Sequence, residues 1–471
     1  MTTRSDLVIV GAGPAGLSAA LAAAGAGVDV TVLDSNAAPG GQIWRQPASG
    51  AAGHPPAGRA ARALSAVAAH PRVEVLSDRT VSLAEPDAGS GGVLFVQGPD
   101  GGETIRARAL VLATGATELS LPFPGWDLPG VLTPGAAQAM LKAHGVLAGR
   151  RILVAGTGPF LWPVAAGLRR AGARIVALVD GARQGSTGLR LAGLARHPAL
   201  VGQAAGFLRA LAAGRVPVLG GRVVVAAHGR DAVESVTVAR LDGRGRIASE
   251  GRREYAVDAL CVGWGFVPSV ELARSLGCAE TVHPNRPGSA VTVDADQATT
   301  APGVFAAGEV TGIGGAVVSW WEGMIAGAAA AHALGALPRQ GFAERTRVAR
   351  RRCGDARHAA RLLERAFPPY PDWTDWLTPE TVFCRCEEVT WQRMVDALDE
   401  GGEDVRTVKG QTRCGMGWCQ GRVCGPAAQL AVARRLGRAP GDVGDLATRP
   451  LAVPIPIGLL GGAGRADETG D

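Results

Sequence analysis

The chain has 471 residues, 47% of them hydrophobic and 19% charged, which excludes a disordered or fibrous protein and allows a large buried core. Its 68 glycines follow no three-residue period, so a collagen-like helix is excluded as well. Basic residues exceed acidic ones by 48 − 42 = 6, and lysine occurs only at Lys142 and Lys409. Arginine therefore carries the charge, and no basic block marks a nucleic-acid surface.

Residues 7–28 carry no charge, the length of a membrane span, but glycine and proline interrupt them. A signal peptide fits poorly too, since Asp6 breaks the basic start and glycines split the apolar core. The segment reads as strand, turn and helix, with no membrane span, and predicts a cytoplasmic protein. Leu7–Val10 is the strand, Gly11-Ala12-Gly13-Pro14-Ala15-Gly16 the turn, and Val28–Leu33 a second strand ending in Asp34. Gly11 permits the tight turn, Gly13 lets backbone approach a pyrophosphate, and Gly16 lets helix pack on sheet. Asp34 stands where a ribose hydroxyl donates.

The pattern repeats. Arg151–Ala155 leads into Gly156-Thr157-Gly158-Pro159-Phe160-Leu161, a helix, and a strand from Arg174 that ends in Asp180. Two dinucleotide-binding units in one chain are predicted. In the second, Leu161 replaces the third glycine. Asp180 suits a ribose 2′-hydroxyl better than a 2′-phosphate, so the second site reads as NAD, another adenine nucleotide, or an empty pocket.

Strands are predicted at 73–76, 93–96, 109–113, 216–219, 223–226, 233–241, 259–262 and 290–293, and a small-residue helix from about Gly314 to Leu334. The arginine- and proline-rich stretch 338–379 reads as a connector with one short helix. Five cysteines then fall within 41 residues: Cys384, Cys386, Cys414, Cys419 and Cys424. Thiolates from two separated loops hold a [2Fe–2S] cluster or zinc, and the tight Cys384-Arg385-Cys386 pair counts against zinc knuckles. The remaining cysteines are scattered, and the chain has no Cys-x-x-Cys pair, so it is not read as a disulfide reductase. Its histidines sit in no motif, and no acid–base residue is assigned.

Gly40-Gly41-Gln42, Ala113-Thr114-Gly115-Ala116 and Gly303–Glu309 followed by Gly314-Gly315-Ala316 complete a set that resembles the thioredoxin- and glutathione-reductase-like flavoproteins. The implied fold class is α/β, with two dinucleotide-binding domains. The resemblance implies FAD held by Gly11, Gly13, Ala15, Gly16, Asp34, Gly41, Gln42, Val81, Thr114, Gly115, Gly308, Glu309, Gly315 and Ala316, and NAD at Gly156, Gly158 and Asp180. Glu309 stands where the family commonly has aspartate.

The run from Cys384 through Gly415-Met416-Gly417-Trp418-Cys419-Gln420-Gly421-Arg422-Val423-Cys424 resembles the bacterioferritin-associated-ferredoxin-type domain. That resemblance implies a [2Fe–2S] cluster on Cys384, Cys386, Cys419 and Cys424, with Cys414 outside the set. The implied layout is an FAD-binding domain at 1–128 and 268–338, an NAD(P)-binding-like domain at 129–267, a linker at 339–378, the cluster domain at 379–450 and a tail at 451–471.

The whole chain is similar to the α-type subunits of heteromeric amine and amino-acid dehydrogenases. These include the α-type subunits of opine oxidase and hydrogen cyanide synthase and the large subunit of dye-linked proline and hydroxyproline dehydrogenases. The resemblance implies an electron-transfer subunit for the oxidation of CH–NH or CH–NH2 donors. Its implied partners are a D-amino-acid-oxidase-like flavoprotein and a small ferredoxin-like protein, and an FMN at the interface between subunits is a further implied cofactor. The alternative is a self-sufficient NADH-dependent flavoprotein reductase that feeds its own cluster.

Overall fold

In the computed structural model, which describes residues 2–182, 192–242, 245–248, 250–367, 372–446, 449 and 451–457, the charge-free opening segment is strand, turn and helix. Leu7, Val8 and Ile9 are fully buried on both faces of β1 (Thr2–Val10), as a central parallel strand requires. Pro14 then opens α1 (Pro14–Ala24), with its φ already suited to a first helical position. The sheet continues with β2 (Val30–Leu33), β3 (Val73–Leu76), β4 (Thr80–Glu85), β5 (Gly92–Gly98) and β6 (Gly101–Leu112). Its parallel part runs β3-β2-β1-β6, with Val8 paired to Thr31 on one side and Leu110 on the other. The strand Val304–Ala306 joins the end of β6 in parallel, while β5 and β4 form an antiparallel meander on its first half.

A second sheet orders Val218–Gly220, Arg174–Asp180, Arg151–Gly156, Ala259–Gly263 and Val131–Leu132, all in parallel. The chain crosses between the two sheets twice, and the crossings pair with each other, Phe266 opposite Glu118. The alternation of strand and helix gives the predicted two-unit α/β architecture.

The cysteine-bearing region is a short hairpin, Val382–Cys384 with Val389–Thr390, and three helices, Trp391–Asp399, Val405–Thr412 and Cys424–Leu436. Its apolar residues do not form a separate core. Phe383, Met394, Val408 and Val432 belong to one buried cluster with Trp373, Trp376 and Trp264 and with Phe123 and Trp126 of the first crossing. Arg385, between the first two cysteines, lies over the Trp126 ring at 3.9 Å and donates to the Trp126 carbonyl.

One expectation is corrected. The connector holds a 28-residue helix, Arg339–Ala366, not a short one. Phe342, Thr346, Ala349 and Cys353 recur at helical spacing and are buried, and the arginines occupy the outer faces. Those arginines mask a stripe that is apolar only in part, so composition alone suggests a loop.

The helix Gly315–Ala333 lies very close to α1. A Cβ added at Gly323 would sit 2.0 Å from the Ala15 carbonyl oxygen, and one at Gly327 would sit 2.1 Å from that of Ala19. Tail residue Ala452 is buried and donates its N–H to Ser82 of β4, so this stretch seats on the chain's own first domain. Residues 458–471 lie outside the described residues. Among the described residues, no helix is long and apolar enough to cross a membrane.

Candidate functional site

The first site lies at the carboxyl ends of β1, β2, β6 and Val304–Ala306. Gly11 has φ +104°, and a Cβ there would be 2.3 Å from the Ala113 carbonyl oxygen. At Gly16 the added Cβ would be 1.8 Å from the Gly11 oxygen, so helix and turn touch backbone to backbone. At Gly13, Gly115 and Gly315 an added Cβ would meet nothing within 4 Å. These faces of the cradle are open to a ligand's phosphates, beside the N–H groups that begin α1.

Asp34 is buried and serves the turn itself. Its Oδ2 accepts from Ala12 N at 2.6 Å, and its Oδ1 accepts from Asn36 N at 2.8 Å and Asn36 Nδ2 at 2.6 Å. Gly40 donates to the Ala12 carbonyl at 2.8 Å, and a Cβ on Gly41 would lie 2.9 Å from Gly13 Cα, so the second glycine pair leans on the first turn. Gln42 is exposed, and its Oε1 accepts from Arg45. Val81 is buried in β4, two residues beyond Arg79, whose N–H donates to the Asp34 carbonyl.

Thr114 Oγ1 donates to the Ser269 carbonyl at 2.7 Å, and Ser269 N donates back to Gly115 O at 3.0 Å. A Cβ on Gly308 would lie 2.9 Å from that of Ala15. Contacts of this kind link Gly11, Gly13, Ala15, Gly16, Asp34, Gly41 and Gly308 near the carboxyl ends of these strands, while Gln42 is exposed and Val81 is buried in β4. Clear faces at three glycines beside the start of α1 fit a dinucleotide's phosphates.

Glu309, which the resemblance implies among the FAD-holding residues, bonds to the helix that follows it. Its Oε1 accepts from Gly314 N at 3.2 Å and Gly315 N at 2.5 Å, so it caps the helix it precedes. Burial pushes its pKa upward, those two N–H donors oppose the shift, and the neighbouring Glu322 carboxylate adds to it. Glu322 itself escaped the sequence reading as a site residue. It is buried, and its Oε2 accepts from Gly308 N at 2.8 Å and Thr311 Oγ1 at 2.9 Å. The available signal was a lone acid inside an otherwise apolar helix, which burial tolerates only with partners.

The second turn is built differently. Gly156 has φ +129°, and a Cβ there would lie 1.7 Å from the Gly263 carbonyl oxygen. Gly158 has an open face, with nothing within 4 Å. Leu161 is buried and is the first residue of the helix Leu161–Arg170. Asp180 is buried too. Its Oδ1 accepts from Ala182 N at 2.9 Å, and burial pushes its pKa up to about 6.

The cysteines come from three places. Cys384 ends the hairpin strand, Cys414 follows Arg413 in its left-handed helix cap, and Cys424 opens the last helix. The Sγ atoms of Cys384, Cys414 and Cys424 all lie within 4.8 Å of one another. Cys419 adjoins Cys424 and Cys386, and Cys386 is exposed. A Cβ on Gly417 would fall 2.3 Å from Cys386 Cβ, so glycine is what lets this loop close on the Cys384–Cys386 turn.

The Cys384 thiol is held down to about 2 by the Cys414 and Cys424 thiols, against burial. Cys419 is lowered to about 5, chiefly by the Cys424 thiol, while Cys424 is driven up, first by Cys384. Sulfurs this crowded cannot all ionise without a cation among them, so the donor set fits a thiolate-bound metal centre. The structure places Cys414, which the resemblance leaves outside the four implied ligands, beside Cys384 and Cys424. Its signal in the sequence was only that it falls beside Gly415-Met416-Gly417.

Residues of the cysteine region and of the segment after Phe266–Pro268 share a cavity of about 70 Å³, lined in part by Ser269, Glu271, Arg422, Gly425 and Leu446. Arg422 and Glu271 approach to 3.8 Å across it. Gln429 Oε1 also accepts from Gly288 N at 2.7 Å. Ser269, which lines this cavity, is bonded to Thr114 and Gly115.

The model of the pyridine nucleotide-disulphide oxidoreductase family matches residues 5–335, and that of the sarcosine oxidase A3 domain matches residues 381–465. An opine oxidase subunit of Agrobacterium tumefaciens strain Ach5 is 30% identical over 97% of this chain and 91% of its own length. Hydrogen cyanide synthase subunit HcnB of Pseudomonas aeruginosa is 33% identical over 96% of this chain and 97% of its own. The crystal structure of L-proline dehydrogenase from P. horikoshii superposes with a TM-score of 0.69 at 20% identity, covering 98% of this chain and 80% of that one. That likeness is one of fold.

Proposed function

This chain belongs to the pyridine nucleotide-disulphide oxidoreductase family, and from that premise we propose that it is the electron-transfer subunit of a heteromeric amino- or imino-acid dehydrogenase or oxidase, holding FAD and a [2Fe–2S] cluster. The relatives are named as subunits, which supports a partner that oxidises the C–N bond, of D-amino-acid-oxidase-like type. The single observation that supports the relay is the convergence of the Cys384, Cys414 and Cys424 thiols in a region whose Arg422 and Gly425 line one cavity with Ser269, the acceptor of the Thr114 hydroxyl.

FAD, when bound, takes up electrons in pairs or singly, and an iron–sulfur centre takes them singly. Gly13, Gly115 and Gly315 offer open backbone to its phosphates, and Asp34 holds the turn that presents them. Four of the five clustered cysteines, Cys384, Cys386, Cys419 and Cys424 by the sequence pattern, would hold the cluster. Cys414 competes for a place among them because its sulfur lies with those of Cys384 and Cys424.

Anaerobic purification followed by metal, sulfide and flavin analysis tests the reading. Iron and acid-labile sulfide in equal amounts with bound FAD are expected, and zinc alone would sink it. The alternative, an NADH-dependent reductase, draws on the open face at Gly158 and the acid at Asp180. Rapid flavin bleaching on mixing the isolated chain with NADH would favour it. Co-purification of a second flavoprotein, with slow or no bleaching, is the expected result.

A further inference from the structure

The turn after Val304–Ala306 is held from behind by a buried ion pair. Glu322 sits on the helix Gly315–Ala333 with its side chain 1% exposed. One carboxylate oxygen, Oε2, takes the Gly308 N–H and the Thr311 hydroxyl, so it grips both ends of the turn Gly308–Thr311. The other, Oε1, takes Arg357 Nε at 2.8 Å and Nη2 at 2.7 Å. Arg357 belongs to the long helix Arg339–Ala366, the segment that the sequence presents as a mere connector.

A carboxylate this deeply buried is costly unless a cation and donors satisfy it. The pair is therefore arranged for something beyond packing of two helices. Every acceptor contact of Oε2 is to the turn that carries Gly308 and Glu309. Glu309 then caps the helix start at Gly314 and Gly315, the open rim of the first site. The chain of bonds runs from Arg357 through Glu322 to Gly308, and through Glu309 to Gly315.

We propose that Glu322 is a positioning residue for the flavin-holding turn and that Arg357, reaching in from the long helix, keeps it in its ionised, accepting form. This rests on the reading that the first site holds FAD. The helix 339–366 is then a brace for that site as well as the path to the cysteine region. Neither residue touches the flavin; both act through the Gly308–Thr311 backbone.

The test uses the full chain and two readouts. FAD affinity is measured by quenching of flavin fluorescence, and amide hydrogen exchange is followed in peptides covering 304–316 without flavin. Glu322→Gln and Arg357→Gln should raise the FAD dissociation constant roughly tenfold or more and speed exchange at Gly308. Arg357→Lys, which keeps the charge but not the two-nitrogen grip, should bind FAD more tightly than Arg357→Gln and less tightly than wild type. Thr311→Val removes one donor and leaves the ion pair, so it keeps the test open if Arg357→Gln does not fold, and it should also loosen the turn.

Variants that melt earlier yet match wild type in FAD affinity and Gly308 exchange would overturn the proposal, because a merely structural pair predicts that pattern. A wild-type chain that takes up no FAD would overturn the flavin reading and this proposal with it. A wild-type chain that takes up FAD while the variants match it would overturn the proposal alone.

Discussion

The two glycine-rich turns start from nearly the same letters and end as different devices. In the first, the helix begins at Pro14, three residues after Gly11; in the second it begins at Leu161, five residues after Gly156. Both opening glycines are wedged against a neighbouring strand end, so the turn itself is common to the two. What differs is the third position. Gly16 lies with its Cα against the Gly11 carbonyl, whereas Leu161 fills a buried apolar slot with Val164 and Ile152. A leucine cannot pack backbone to backbone against the turn as Gly16 does, so helix and turn meet differently in the two copies. The acids follow suit. Asp34 is bonded to the glycine turn through Ala12 N, while among the described residues Asp180 bonds forward, to Ala182 N. The fold is duplicated, but among the described residues a third glycine and an acid bonded back to the turn occur in the first copy alone.

The largest test makes the first turn resemble the second. Gly16→Leu puts a side chain where even a Cβ would lie 1.8 Å from the Gly11 oxygen. The backbone must move, so a loss of roughly 4 kcal/mol or more is expected, with FAD uptake reduced at least a hundredfold. Flavin content after purification and urea unfolding read both effects. Retention of FAD at wild-type affinity would show that the third glycine does not set the cradle.

The converse change asks whether Leu161 serves packing. Leu161→Ala removes a buried side chain from a close-packed cluster and should cost about 3 kcal/mol, measured by urea unfolding. If the leucine is a packing residue, NADH affinity of the variant stays within about twofold of wild type. A large gain in nucleotide affinity with little loss of stability would mean that Leu161 blocks a site ready to bind.

Much of this contrast could be read from the residues alone. The strand, turn, helix and acid of each unit are local patterns, and the structure places all of them as the periodicity predicts. The cysteine spacing likewise announced a thiolate centre. What local patterns miss is what distant elements bring together. Cys414 joins Cys384 only because Gly415 and Gly417 let the loop fold back on the hairpin, which no spacing rule encodes. Glu322 and Arg357 are 35 positions apart and meet across two helices, one of which reads as a loop because arginines dominate it. Glu309 turns inward to cap its own helix because one extra methylene lets it reach Gly315.

The acids give a smaller and pH-dependent test. Burial raises Asp180 to about 6 in the folded chain, above its ordinary 3.8. The folded state therefore holds a proton that the unfolded state releases, and stability falls as pH rises between those values. Below about pH 4 both states are protonated and the penalty vanishes; above about 6 it is complete, at most about 3 kcal/mol. Asp180→Asn removes it, since the amide oxygen still accepts from Ala182 N. The stability gap between variant and wild type should be near zero at acid pH and grow, in the variant's favour, up to neutrality. A gap that does not change with pH would mean that the carboxylate is satisfied in a way its single bond to Ala182 does not reveal.

Asp34→Asn should destabilise the chain at neutral pH, and its effect is the smallest. The Asp34 carboxylate accepts on both oxygens: Ala12 N on one, and the backbone and side-chain nitrogens of Asn36 on the other. An asparagine there must turn its NH2 toward one of those donors, so a donor faces a donor whichever way the amide is flipped. The expected cost is about 1–2 kcal/mol, present at neutral pH where Asp180→Asn is stabilising. Because Ala12 N lies inside the glycine turn, the same change should weaken FAD binding about tenfold by loosening the turn, without altering the second site's affinity for NADH. Equal effects of the two substitutions, in sign and in pH profile, would mean that the two acids play the same part and that the difference between the turns rests on Gly16 and Leu161 alone.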